Sequence, residues 1–91
     1  MTNHARPPRW TAAEMDSYER ARDLLNAVIS AYSGRIGVAP GPDVARALRA
    51  ERAPLLAERD SLSADDRERV AEILFEMPER LRSVRAGGAG E

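Results

Sequence analysis

The side chains able to do chemistry are few. The chain has no Cys and a single His, His4, alongside 15 carboxylates and 14 basic residues, every one of them Arg. Lack of Cys removes disulfides, thiolate zinc sites and cysteine nucleophiles together. His4 stands alone in a polar N-terminal stretch, where a solvated role outweighs base or ligand duty. Most carboxylates fall beside Arg at helical spacing, as in Asp16–Arg20 and Glu19–Arg22, which is the pattern of a solvated helix face. Asp65, Asp66, Glu68 and Glu72 are dense enough to suggest a hard cation. They lack the Gly turn of a ligand loop, and they suit the positive end of a helix dipole. The chemistry predicts a non-enzymatic protein with no catalytic residue, metal, cofactor or small-molecule substrate.

Two groups of residues are better suited to binding. Phe75 lies on an ideal helical wheel about 135° from the centre of its helix's apolar stripe. It should therefore point to solvent, where it would anchor a protein partner together with Leu24 and Val28, if these are not fully covered. Arg46, Arg49 and Arg52 sit one turn apart and could follow a phosphate backbone, with Arg6 and Arg9 of the N-terminal arm reaching into a groove. Against that second reading, Asp43, Glu51, Glu58 and Asp60 neutralise the same helix, and the whole chain carries a net charge of -1. Phosphate neutralisation supplies most nonspecific affinity for nucleic acid, so a neutral helix starts at a disadvantage.

Positioning these residues falls to three amphipathic segments. Thr11 and Glu14 form a capping box, with Trp10 and Met15 placed as a hydrophobic staple. The first helix is predicted over 11–33, with Gly34 as its terminator. Residues 35–42 hold two Gly and two Pro and read as a loop. The second helix is predicted over 43–60, kinked at Pro54, and the third over 64–85, with Ser63 as N-cap and a kink at Pro78. Residues 1–9, with the Pro7–Pro8 pair, read as a flexible arm and 86–91 as a disordered tail. The fold expected is all-α: a single small antiparallel three-helix bundle.

Stripes at three- and four-residue steps supply the core: Met15, Tyr18, Leu25, Ile29 and Tyr32, flanked by Ala21, Leu24, Val28 and Ala31, then Val44, Ala47, Leu48, Leu55 and Leu62, then Val70, Ile73, Leu74, Met77, Leu81 and Val84. Reversals near residues 40 and 62 pair Leu25 with Leu55, Tyr32 with Leu48, Leu55 with Val70, Leu48 with Met77 and Val44 with Leu81. The same registers set Arg22 opposite Glu58 and predict an ion pair there. Burial of roughly 64 % of the extended-chain surface suits one small core at this length.

Two helical families share features with this chain. The stretch from Leu62 to Phe75 resembles the junction of the second and third helices of the all-helical chorismate mutases, which implies an arginine-rich active site. That site also expects a Lys, which this sequence does not contain, and a long first helix crossing Gly34 and Gly37. The triplet Tyr32-Ser33-Gly34 is similar to the aromatic-x-Gly turn of the WxG-type helical hairpins of type VII secretion, with Tyr in place of Trp. Neither likeness is extensive enough to assign a family.

No apolar run approaches the ~20 residues of a membrane span, and the N-terminus lacks a signal-type apolar core. The Arg-for-Lys and Ala-rich composition is that of a high-GC, bacterial-like coding sequence. Together these features lead to the expectation of a cytoplasmic adaptor or regulatory accessory protein that binds a protein partner, either another protein or a second copy of itself. A nucleic-acid-associated accessory or transcriptional regulator is the alternative.

Overall fold

A computed structural model describes residues 10–87 and shows three helices: α1 (Ala12–Gly37), α2 (Pro42–Ser61) and α3 (Arg67–Arg85). The capping box forms as the sequence predicts. Thr11 Oγ1 accepts from the Glu14 amide at 3.0 Å, and Glu14 Oε1 accepts from the Thr11 amide at 2.9 Å. Two of the amides left orphaned at the start of a helix are thereby satisfied.

At its other end α1 runs through Gly34 and stops four residues later than the sequence suggests. Gly inside a helix costs about 1 kcal/mol relative to Ala, and tertiary contacts offset it here. Ile36 packs against the core, and Arg35 Nη1 donates to the Val84 carbonyl at 3.1 Å. That carbonyl belongs to the last turn of α3, where a cation also meets the negative end of the helix dipole. Arg35 thus ties the two helix ends together. Gly87 follows in the left-handed region at φ 68, and a Cβ there would meet the Arg35 guanidinium at 3.4 Å. Because Tyr32, Ser33 and Gly34 are all helical, the triplet is not an interhelical turn, and the WxG-type likeness fails on this point.

Helix α2 starts one residue earlier than predicted, with Gly41 as N-cap and Pro42 in the first turn, where its missing amide costs nothing. Helix α3 starts later, at Arg67. Ser63 Oγ accepts from the Asp65 amide at 3.1 Å and the Ser63 carbonyl from the Asp66 amide at 3.0 Å. Ser63 therefore closes a turn of its own instead of capping the helix. Trp10 Nε1 donates to Asp65 Oδ1 at 2.7 Å, so the tryptophan fastens the start of α1 to this turn. Pro54 and Pro78 both lie inside continuous helices.

Side-chain contacts fix the helix directions. Glu14–Arg67 and Arg35–Val84 advance together, so α1 and α3 run parallel. Asn26–Arg59 and Ser33–Arg52 advance in opposite senses, so α2 is antiparallel to α1. Helix α1 is the centre of the bundle. It packs against both partners, whereas α2 and α3 make no Cα approach within 8 Å of each other. The α2–α3 pairings expected from sequence are thus looser than predicted, and Val44 is exposed. The cause is side-chain size. Ala21 and Ala31 let α1 approach its neighbours closely, while Tyr32, Arg69 and Arg80 stand between α2 and α3.

The core joins Ala21, Leu25, Val28, Ile29 and Tyr32 of α1 to Leu48 and Leu55 of α2 and to Val70, Ile73, Met77 and Val84 of α3, with Leu62 closing the turn. Most of the apolar stripe residues read from the sequence are buried or pack on this core, but Val44 and Ala47 at the start of α2 are exposed.

Candidate interaction surface

Tyr32 is the node where all three helices meet. It is 2 % exposed. Its hydroxyl donates to Glu51 Oε1 of α2 at 2.9 Å and accepts from Arg80 Nε of α3 at 2.9 Å. The Arg80 guanidinium also lies 5.5 Å from the Tyr32 ring centroid, within cation–π range. Burial pushes the phenol pKa up. The hydrogen bond from Arg80 opposes that rise, and the one to Glu51 adds to it.

Near the α2–α3 turn, Arg69 grips Glu58 through two guanidinium nitrogens, Nη2 to Oε1 at 2.7 Å and Nε to Oε2. Its Nη1 lies 2.9 Å from Glu72 and 3.6 Å from Glu76. The hydrogen bond from Arg69 holds the Glu58 carboxyl below the usual carboxylate range, against the effect of burial, while the Arg69 pKa is raised chiefly by Glu58. Glu58 therefore pairs with Arg69 and not with Arg22, which is exposed. Because α1 continues to Gly37, the reversal falls later than expected and α2 is shifted along α1: Tyr32 meets Glu51 and Asn26 meets Arg59, so Arg22 does not lie opposite Glu58. These two polar clusters are structural: each holds helices together by hydrogen bonds that its own members satisfy.

Phe75 is 85 % exposed, as its place on the wheel predicts. Leu24 is half-buried and packs on the core. Val28 is 0 % exposed and belongs to the core, so it cannot serve as a surface anchor. The second stripe of α1 is thus fully covered at Val28 and partly covered at Leu24, so the condition for an anchor there is not met at Val28.

The structure also shows a feature that the wheel alone did not reveal. Two grooves run along the seam between α1 and α3. One, of about 250 Å³, is lined by Ala13, Ser17, Ala64, Val70, Ala71 and Leu74, with Glu14 and Arg67 at its edge. The other, of about 360 Å³, lies toward the far end between Ala27, Ala31 and Gly34 of α1 and Val84 and Arg85 of α3. Both arise because Ala, Ser and Gly leave the seam shallowly filled. The small residues at three- and four-residue steps on α1 were the available sequence signal. Phe75 stands one helical turn from Ala71 and from Pro78, between the levels of the two grooves.

The arginine row is largely committed. Arg46 Nη1 lies 2.9 Å from Asp43, and Arg52 Nη1 donates to Ser33 Oγ at 2.8 Å. Arg52 Nε is buried without a partner. Arg49 is exposed and makes no ion pair among the described residues. Arg6 and Arg9, like His4, lie outside the described residues. Among the described residues no group of three or more His, Asp or Glu side chains is placed to hold a metal ion, and no helix is long and apolar enough to cross a membrane. Comparison with known proteins leaves the surface to speak for itself: no protein family, curated protein or solved structure matches this chain.

Proposed function

We propose that this chain is a small non-enzymatic helical module, an adaptor or regulatory accessory, that binds a protein partner through the α1–α3 face around Phe75. The observation that carries this reading is the exposed Phe75 ring beside shallow apolar grooves. A large aromatic in such a setting costs solubility unless something covers it, and buried aromatics are the usual anchors of protein interfaces. The arginine row supports nucleic-acid binding less well, because Arg52 is held against Ser33 of α1 and Arg46 is matched by the neighbouring Asp43 on the surface of α2.

The test is affinity capture from the native host, comparing the wild-type chain with Phe75→Asp. Partners held by wild type and lost by Phe75→Asp, with unchanged helicity by circular dichroism, support the proposal. Identical retention by the two proteins refutes it.

A further inference from the structure

The chain enters the bundle at the mouth of the first groove. Trp10, the first described residue, donates Nε1 to Asp65 Oδ1 at 2.7 Å, and Thr11 caps α1 beside it. Ala64, next to Asp65, lines that groove together with Ala13, and the floor continues to Val70, Ala71 and Leu74. Residues 1–9 precede this anchor and lie outside the described residues. Their sequence is basic and constrained: His4, Arg6 and Arg9 with no carboxylate, and the Pro7–Pro8 pair between the two arginines. Proline fixes its own φ and restricts the residue before it to extended backbone, so Arg6, Pro7 and Pro8 favour polyproline II. That helix repeats every three residues, which puts Arg6 and Arg9 on one face and the two proline rings on the others.

We infer that residues 4–9 fold back along the α1–α3 seam as a strap, with Pro7 and Pro8 seated in the first groove and Arg6 and Arg9 turned toward the start of α3. Three observations select this segment as the occupant. Its root is fixed at the mouth of the groove, and so short a tether gives a local concentration on the order of millimolar. A contact too weak to hold a free peptide is then filled from within the chain. The flanking carboxylates are the second observation. Asp66 and Glu68 are exposed and make no ion pair among the described residues, whereas Glu14 is taken by Arg67 and Asp65 is held by Trp10. Third, Ala side chains keep the groove shallow, and proline rings suit such a surface because they lose no rotamer freedom when buried.

The length suffices. Residues 67–74 of α3 rise about 10 Å along the groove, and residues 4–9 in polyproline II span about 19 Å. The strap therefore reaches the level of Leu74 with chain to spare for the reversal at Trp10. It covers the end of the α1–α3 face nearest the α2–α3 turn and leaves Phe75 and the second groove open. A partner that needs the first groove must displace it, so the strap lowers apparent affinity in proportion to the fraction of time the groove is open. The inference does not depend on Phe75 being an anchor.

Because the chain has no Cys, Ala5→Cys gives a single attachment point for a nitroxide on the full chain. The expected result is strong paramagnetic loss of the Ala71 and Leu74 amide signals, far weaker loss at Gly34 and Val84 beside the second groove, and no dependence on protein concentration. Reversing the strap's charge with Arg6→Glu and Arg9→Glu should abolish the loss at Leu74 while circular dichroism stays unchanged. Ala71→Arg, at an exposed position on the groove wall, should do the same. A label that affects only residues next to Trp10 shows an arm that leaves the bundle and overturns the inference, as does a loss at Leu74 that outlasts either set of substitutions. If the loss appears on unlabelled chains mixed with labelled ones, the occupant is a second copy and the strap fails. Phe75→Asp should leave the Leu74 signal as it is, so failure of the strap and failure of partner capture through Phe75 are read apart.

Discussion

Tyr32→Phe isolates the polar node of the bundle from its packing. The ring is 2 % exposed and keeps its place in the variant, so little apolar contact is lost. What disappears is one oxygen that donates to Glu51 and accepts from Arg80, each at 2.9 Å. Hydrogen bonds to charged groups contribute about 1.5–3 kcal/mol each, but Glu51 is exposed and Arg80 half-buried, so water replaces part of what each loses. The net cost is therefore about 1–2 kcal/mol, a fall in Tm of roughly 5–15 °C for a domain of this size. Thermal and urea unfolding followed by circular dichroism at neutral pH read this directly. The pH dependence supplies a second, independent signature. The folded phenol has a pKa above its ordinary value of 10.0, so the unfolded chain ionises first as pH rises. Stability from this group is complete below about pH 10 and is lost as pH climbs through the folded value. Tyr32→Phe should remove that part of the alkaline loss. A destabilisation below about 0.5 kcal/mol, with an unaltered alkaline limb, would refute the claim that this hydroxyl joins the three helices.

Two further perturbations test the ends of the bundle. Glu58→Gln breaks the charged fork with Arg69 and should cost about 1 kcal/mol, since the pair is only partly shielded. The Glu58 carboxyl titrates below its ordinary value of 4.5 when folded, so its contribution is present above that pH and lost as pH falls through the folded value; acid titration of the variant should show a shallower decline. Arg35→Ala removes the tie to the Val84 carbonyl and should fray the last turns of α1 and α3 together, lowering stability by about 1–2 kcal/mol. Amide hydrogen exchange should show protection lost in both segments at once, and loss in α1 alone would contradict the coupling.

Periodicity and capping made the three helices and their core legible in the sequence, because those signals are local or depend on one helix face at a time. The Thr11–Glu14 box and the Leu25, Ile29, Tyr32 stripe are of that kind. What the sequence concealed involved competition between partners. Gly34 reads as a stop signal, yet Arg35 and Ile36 find tertiary partners beyond it that carry the helix to Gly37. Ser63 reads as an N-cap, yet it serves a turn before the helix. Arg22 and Glu58 read as partners, yet the extension of α1 moves the reversal and shifts α2 along α1, leaving Glu58 to Arg69.

The same distinction explains the interaction face. A wheel shows that Phe75 leaves the core, but it cannot show which neighbouring helix lies beside it. Only the placement of α1 beside α3 sets the small residues of one helix along those of the other and leaves two shallow grooves on their seam. Each helix carries the charge bias that suits its own dipole, with a carboxylate in the first turn and arginine in the last, so that bias is legible one helix at a time. The grooves are not, because they depend on which two helices meet and on how little side-chain volume fills the space between them.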